Sequence, residues 1–330
     1  MNGQKTSRAL IALVAAAACL IGTVAQAAED FPVKGRPIRV VVPFPPGGGV
    51  DGQARTVAQR LGEILGTPVV IDNRPGGGTL VAAQEVIKSK PDGYTLFYSA
   101  SSTFAQNPHT MLAVTYDPEK DFTPISLGGQ GPLVMVVNSA LPVRNVQELV
   151  AYGKAHPGTL SYGSFGTGTS AHVFGQIFAR QTGLDLVHIP YRGGADMSTD
   201  LLAGRVQMAF DAAPAALQNA QTGKVRIIGV AAPQRSEFLP GVPTLSEQGM
   251  QGMDLTSWLG WFGPARLPQP MVEKLNAALV QAIADTRVQA FYRTGAYTAE
   301  SSTPPQLALL VRDSYSRWGK LVKEAGIARQ

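Results

Sequence analysis

A chain of 330 residues, with 28 Lys plus Arg against 23 Asp plus Glu, has room for about two domains of roughly 150 residues each. Its 45% hydrophobic content excludes wholesale disorder, and its 15% charged residues fall below the roughly 25% of an average globular protein. The 36 Gly and 24 Pro form no collagen repeat, and one cysteine excludes a disulfide framework.

Residues 1–27 read as a secretory signal. Lys5 and Arg8 supply the positive start, residues 10–24 the apolar core, and Ala25-Gln26-Ala27 the small-residue cleavage site. Two rival readings use the same stretch. A membrane anchor would need a longer apolar run. A lipoprotein joined at Cys19 would need a large aliphatic residue within Ala16-Ala17-Ala18. Cleavage after Ala27 discards the lone cysteine, and losing Lys5 and Arg8 lowers the formal charge of +5 by two. An exported chain without disulfides suits a bacterial periplasm. No later stretch is apolar and long enough to span a membrane. No Lys/Arg cluster is interleaved with aromatics, so nucleic-acid binding is set aside.

The first elements alternate between strand and helix. Residues 38–44 are β-branched and read as a buried strand, broken by Pro45-Pro46-Gly47-Gly48-Gly49. Asp51 is placed as the N-cap of a helix with Ala54, Val57, Ala58, Leu61, Ile64 and Leu65 on one face. A strand at 69–71, a helix at 79–89 and a strand at 94–98 follow, which predicts an α/β fold with a mainly parallel sheet. Further strands are expected at 133–137, 160–163, 186–191, 206–211 and 225–231. Between them, Asn145 and Glu148 resemble a capping box, and helices open after 164–170 and after Arg192-Gly193-Gly194. The aromatic strand 258–264 and helices near 270–285 and 304–325 complete the chain. No flexible linker separates two halves, so a chain with two domains crosses between them more than once.

Three Gly-rich loops, 45–51, 164–170 and 192–196, each follow a strand and open a helix. Such loops present free backbone N–H groups at a positive helix end, which suits a carboxylate or phosphate. In open α/β sheets they gather at the carboxyl edge, where ligands bind. The alternative for each loop is a turn that needs glycine for steric reasons alone.

Gly166-Thr167-Gly168-Thr169-Ser170-Ala171 fits a dinucleotide fingerprint, but the next strand ends in Pro190-Tyr191-Arg192, without the acidic residue that would hold a ribose. There is no P-loop, nucleophile elbow or H-E-x-x-H motif. His109, His156, His172 and His188 lack metal-ligand spacing, so no metal and no cofactor are expected. His188 reads as a packed, hydrogen-bonded core residue. His172 either holds the 164–170 loop or serves the core. Asp51 and Asp211 read as N-cap carboxylates, with a ligand amine or hydroxyl as the alternative partner for Asp211. Arg192 is a candidate anion contact or an ordinary surface arginine. Trp258, Trp261 and Phe262 read as packing.

Several motifs then stand in one order. They are Pro43-Phe44-Pro45-Pro46-Gly47-Gly48-Gly49-Val50-Asp51, Asn73-Arg74-Pro75-Gly76, Pro91-Asp92-Gly93-Tyr94-Thr95-Leu96, and Tyr116-Asp117-Pro118 with Asp121-Phe122. They continue with Tyr162-Gly163-Ser164, Pro190-Tyr191-Arg192-Gly193, Asp200-Leu201-Leu202-Ala203-Gly204, Phe210-Asp211, Val242-Pro243-Thr244 and Thr256-Ser257-Trp258. Over nearly the whole exported chain this resembles the Bug-type solute-binding proteins, periplasmic receptors of the tripartite tricarboxylate transporter system.

The resemblance implies a two-domain periplasmic-binding-protein fold of type II, a Venus flytrap with a central hinge and an interdomain cleft. The expected domains are 28–128 plus 233–330, and 129–232. It also implies a carboxylated ligand held by backbone N–H groups, hydroxyls and ordered waters. Carried over residue by residue, the ligand-binding positions are Phe44, Gly48, Gly49 and Asp51, then Ala100, Ser101 and Ser102. The second domain contributes Ser164, Phe165, Gly166, Thr167, Thr169, Ser170 and His172, with Arg192, Gly193 and Asp211 as a third group.

Two departures stand out. Val50 replaces a common hydroxyl residue, and Phe165 interrupts a loop where small residues are common. Phe165 either favours an aromatic carboxylate or packs behind the loop. The expected protein is a monomeric, non-enzymatic receptor for a small carboxylate that serves membrane permease subunits. The other readings are a ligand sensor for a signalling partner and an exported enzyme using the same cleft.

Overall fold

The computed structural model describes residues 31–324 and 326–329. The expected leader and its cleavage point lie outside the described residues. Among the described residues the strands form two five-stranded sheets. The first contains β1 (Ile38–Val42), β2 (Val69–Asn73), β3 (Thr95–Ala100), β4 (Phe122–Gly131) and β10 (Ser257–Pro264), in the order β2-β1-β3-β10-β4. The second contains β5 (Leu133–Asn138), β6 (Ser161–Ser164), β7 (Val187–Pro190), β8 (Met208–Ala212) and β9 (Val225–Ala231), in the order β7-β6-β8-β5-β9.

Each sheet is covered on both faces, which explains its uninterrupted apolar strands. In β1, Ile38, Val40 and Val42 enter one core and Val41 the opposite one. The first core is closed by α1 (Gly49–Leu65), α8 (Gln269–Ile283) and α9 (Thr286–Thr294); the second by α2 (Leu80–Ile87) and the start of α10 (Pro304–Glu324). Strand β5 alternates in the same way: Leu133, Met135 and Val137 face α4 (Val146–Ala155) and α5 (Ser170–Thr182). Its Val134 and Val136 face α6 (Gly194–Leu202) and α7 (Ala213–Ala220). The expected Asn145–Glu148 pair caps α4: Asn145 accepts from the Glu148 amide at 2.8 Å, and Glu148 reaches back to the Arg144 amide at 2.7 Å, one residue before the N-cap rather than on it. Trp258, Trp261 and Phe262 are buried packing residues, as expected.

The sheets are mixed rather than mainly parallel. Strands β1, β2 and β3 run parallel, but β10 enters antiparallel between β3 and β4. Strands β6, β7 and β8 run parallel, while β5 is antiparallel to β8 and β9. The reason lies in the crossover. Only Pro132 separates β4 from β5, so β5 starts where β4 ends. Leu133 pairs with Ala212 and with Ala231, and Ala100 pairs with Leu259 beside the Ser257–Gly131 pair. The carboxyl ends of both parallel sets therefore face each other across the junction.

The chain crosses the junction again. After β9, Leu239 packs on one face of the second sheet and Leu245 and Met253 on the other, before β10 rejoins the first sheet. Helix α10 buries Leu307 and Val311 against the first sheet and Trp318 and Val322 against the second.

Close packing sets a test of the fold. A methyl built on Gly175 in α5 would lie 1.9 Å from the Tyr162 ring. Gly→Ala inside a helix normally stabilises by about 1 kcal/mol. Here overpacking should win, and Gly175→Ala should lose about 1–3 kcal/mol in urea unfolding. A variant as stable as the parent would contradict this packing.

Candidate functional site

The first Gly-rich loop joins β1 to α1. Gly47 takes a φ of +83°, which glycine adopts without strain. Gly48, not Asp51, is the N-cap of α1, which corrects the sequence reading. Asp51 lies in the first helical turn, and its buried carboxylate holds the loop from inside. Its Oδ2 accepts from the Gly47 amide and from Arg55 Nε, both at 2.9 Å. Its Oδ1 accepts from Asn73 Nδ2 at 2.9 Å, and the same amide donates to the Phe44 carbonyl. Burial alone would raise the Asp51 carboxyl, but hydrogen bonds from Arg55, Gly47 and Asn73 outweigh it and leave it below the usual range. The charge is thus satisfied within the loop. The first helical hydrogen bond is Gly52 N–H to the Gly48 carbonyl, so the amides of residues 49–51 precede the ladder.

The second loop joins β6 to α5. Gly166 and Gly168 take φ of +129° and +84°. Thr169 is the N-cap position of α5, and its hydroxyl donates to the Gly166 carbonyl at 2.7 Å. Buried Ser164 shares its hydroxyl with the Gly166 backbone and His188 Nε2. His172 Nδ1 accepts from the Gly168 amide at 3.2 Å, so this ring holds the loop while remaining buried. His188 is only partly buried and is hydrogen-bonded, close to its expected role.

The third group lies at β7, α6 and β8. Gly193 is the N-cap of α6, with Arg192 exposed beside it. Asp211, next to last in β8, is buried, but Ala212 is the N-cap of α7, so the cap expected at Asp211 is also absent. Its Oδ1 accepts from the Ala212 amide at 2.8 Å, and its Oδ2 takes a long bond of 3.4 Å from Ser198 Oγ. Burial outweighs these two donors and pushes the carboxyl up to about 7. It therefore presents less than a full negative charge near neutral pH.

The three loops converge. A methyl on Gly193 would lie 3.3 Å from Pro45, and one on Gly49 3.8 Å from Pro214. On the other side, a methyl on Gly78 would lie 3.0 Å from the Thr167 carbonyl, and one on Gly168 2.8 Å from Met111. The N-termini of α1, α5 and α6 thus gather where the two sheets face each other.

The remaining expected positions divide by environment. Phe44 and Ala100 are half-buried against the first core. Phe165 is half-buried against both cores of the second sheet, with its ring beside Gly194. Ser170 is buried at the first position of α5, and Thr167 is half-buried in the loop. Ser101 and Ser102 are buried where β3 runs into a π-helical turn, Ser102–Gln106, a distortion frequent at functional sites. Ser101 Oγ and both polar atoms of the Gln106 amide are buried there without a hydrogen-bond partner among the described residues.

Sequence reasoning missed Asn73, Arg55, Gly78 and Pro214. Spacing offered a signal for Arg55, which sits one turn after Asp51. Asn73 and Pro214 act across long sequence separations that no local pattern reveals.

Asp211 yields a pH test. Its raised folded value means the fold binds more protons than the unfolded chain between about pH 4 and 7, so its contribution to stability falls as pH rises through that window. Asp211→Asn should be more stable than the parent at pH 8, with the gap shrinking toward pH 5 in parallel urea melts. A gap independent of pH would contradict the assignment.

Comparison with known proteins agrees with this geometry. Residues 53–327 match the profile of the tripartite tricarboxylate transporter family receptor. The chain is 34% identical to protein BugT of Bordetella pertussis over 301 residues, covering 91% of each. A structure of an R. palustris protein with adipate has 32% identity and a TM-score of 0.85, covering 91% of this chain and 100% of that one. MatC from Rhodopseudomonas palustris, with bound malate, has 30% identity and a TM-score of 0.83, covering 88% and 100%. The facing sheets, the convergent loops and these matches together make the chain a member of the tripartite tricarboxylate transporter receptor family, of the Bug type.

Proposed function

We propose that this protein is a periplasmic, non-enzymatic receptor that closes on a small carboxylate and delivers it to the membrane permease subunits of a tripartite tricarboxylate-type transporter. The carrying observation is the convergence of three helix N-termini from two facing sheets. Backbone N–H groups at such ends stabilise an anion without a buried counter-charge. A dicarboxylate suits this arrangement, because α1 meets one end of the ligand while α5 and α6 meet the other. Adipate and malate, each present with a relative, are dicarboxylates. Ser101 Oγ, buried and unpartnered, supplies a hydroxyl to the ligand or to an ordered water. Exposed Arg192 adds a positive field at the mouth beside Gly193.

The two moving bodies in this reading are residues 28–128 with 233–330, and 129–232. Hinge closure between them encloses the ligand. The receptor acts as a monomer after cleavage behind Ala27. No described helix is long and apolar enough to cross a membrane.

A thermal-shift screen with malate, adipate and benzoate tests this function. A ligand at 100 times its Kd adds about 2.7 kcal/mol of stability, or about 4 °C in Tm for a chain of this size. Arg192→Ala should weaken the best ligand about 10-fold, equal to about 1.4 kcal/mol. Absence of any carboxylate-dependent shift, or recovery of a chemically altered ligand, would defeat the proposal.

A further inference from the structure

Two histidines hold the second loop at both ends. His172 on α5 and His188 on β7 stack with ring centroids 4.2 Å apart and planes at 27°. Tyr162 on β6 also stacks on His188 at 4.8 Å, and its hydroxyl donates to the His172 carbonyl at 3.3 Å. Through Nδ1, His172 accepts the Gly168 amide. Through Nε2, His188 bonds Ser164 Oγ at 2.8 Å. The loop from Ser164 to Gly168 is therefore clasped by one ring at each end.

The chemistry of this clasp demands a defined protonation state. An imidazole nitrogen that accepts an amide N–H carries no proton. Neutral His172 must then bear its proton on Nε2, which lies 2.9 Å from Gln176 Nε2, so the Gln176 amide is assigned in the turned orientation that offers its oxygen. A protonated His172 would set N–H against N–H at Gly168. A second charge on His188, stacked at 4.2 Å, would add like-charge repulsion. The titratable groups facing the pair are each other's rings and the Tyr162 phenol; among the described residues no carboxylate hydrogen-bonds to either ring.

We propose that His172 and His188 are positioning residues for the ligand-binding loop, and that the receptor holds its carboxylate only while His172 is neutral. This rests on the reading of the 164–170 loop as an anion site. The Gly168 amide is bent back onto the ring, and the amides that open α5 are left to face the ligand. Burial favours the neutral form of both rings, and for His172 the adjacent His188 adds to it, holding each down at about 4. The folded ring thus stays uncharged where an exposed histidine would already be half protonated.

The test uses the whole exported chain. Nitrogen-15 spectra of the histidine rings should show His172 protonated at Nε2 alone, titrating near pH 4. His172→Phe should speed exchange of the Gly168 amide at least 10-fold without changing exchange in β5. With malate as probe, His172→Phe should weaken binding at least 10-fold. His172→Asn, whose side-chain oxygen replaces the Nδ1 acceptor, should restore most of it. The ratio of wild-type to His172→Asn affinity should fall as pH drops through about 4; titration of malate itself cancels in that ratio. Unchanged Gly168 exchange in His172→Phe, or a flat ratio, would overturn the proposal. If malate binds no form of the protein while spectra and exchange behave as stated, the clasp stands and malate as ligand fails. If malate binds while Gly168 exchange is unaffected, the clasp fails and the receptor reading survives.

Discussion

The whole arrangement depends on how the chain passes from one sheet to the other. A single residue, Pro132, joins β4 to β5, and both strands pair antiparallel with their neighbours at the junction. That fixes the direction of every strand in both sheets. The parallel sets β1–β3 and β6–β8 must then end toward each other. Because βα loops follow strand ends, all three Gly-rich loops are delivered to one place. Neither sheet alone would make such a site.

Within that place the structure separates charge that holds the loops from charge left for a ligand. Asp51 is consumed by Gly47, Arg55 and Asn73, and Asp211 is buried with two donors among the described residues. Neither confronts an incoming carboxylate as an exposed anion. The positive character comes from peptide dipoles, which are fixed by the fold and need no rearrangement when an anion arrives. The low charged content of the chain fits a site of this kind.

The glycines serve two purposes. Gly47, Gly166 and Gly168 take left-handed or otherwise positive φ, which shapes the loops. Gly193, Gly78 and Gly168 also stand close to other segments at the junction, to Pro45, the Thr167 carbonyl and Met111, and Gly78 and Gly168 combine this with a positive φ. Substituting the first kind strains one loop. A side chain at Gly193 or Gly78 would crowd Pro45 or the Thr167 carbonyl across the junction. The neutral histidine pair fits the same pattern, since it shapes a loop through acceptors rather than charge.

Much of this was legible in the sequence. Strand and helix periodicity located most elements, because β-branched runs and helical apolar faces are local patterns. Asn145 with Glu148 announced its helix for the same reason. The Gly-rich loops and their helix starts were readable as anion-binding features. Local reading failed at Asp51 and Asp211, because a carboxylate beside a helix start looks like a cap whether or not it faces the first amides. It also missed β4 and α9, whose sequences carry weaker periodic signals.

Local residue patterns set the inventory: alternating strands and helices, and three loops rich in glycine ahead of helix starts. Which loops meet was settled by long-range packing. The antiparallel insertion of β10 and β5, the reach of α10 across both sheets and the His172–His188 stack all join residues far apart in the chain. Such contacts arise from packing and burial between distant segments, and no local pattern of residue types encodes them.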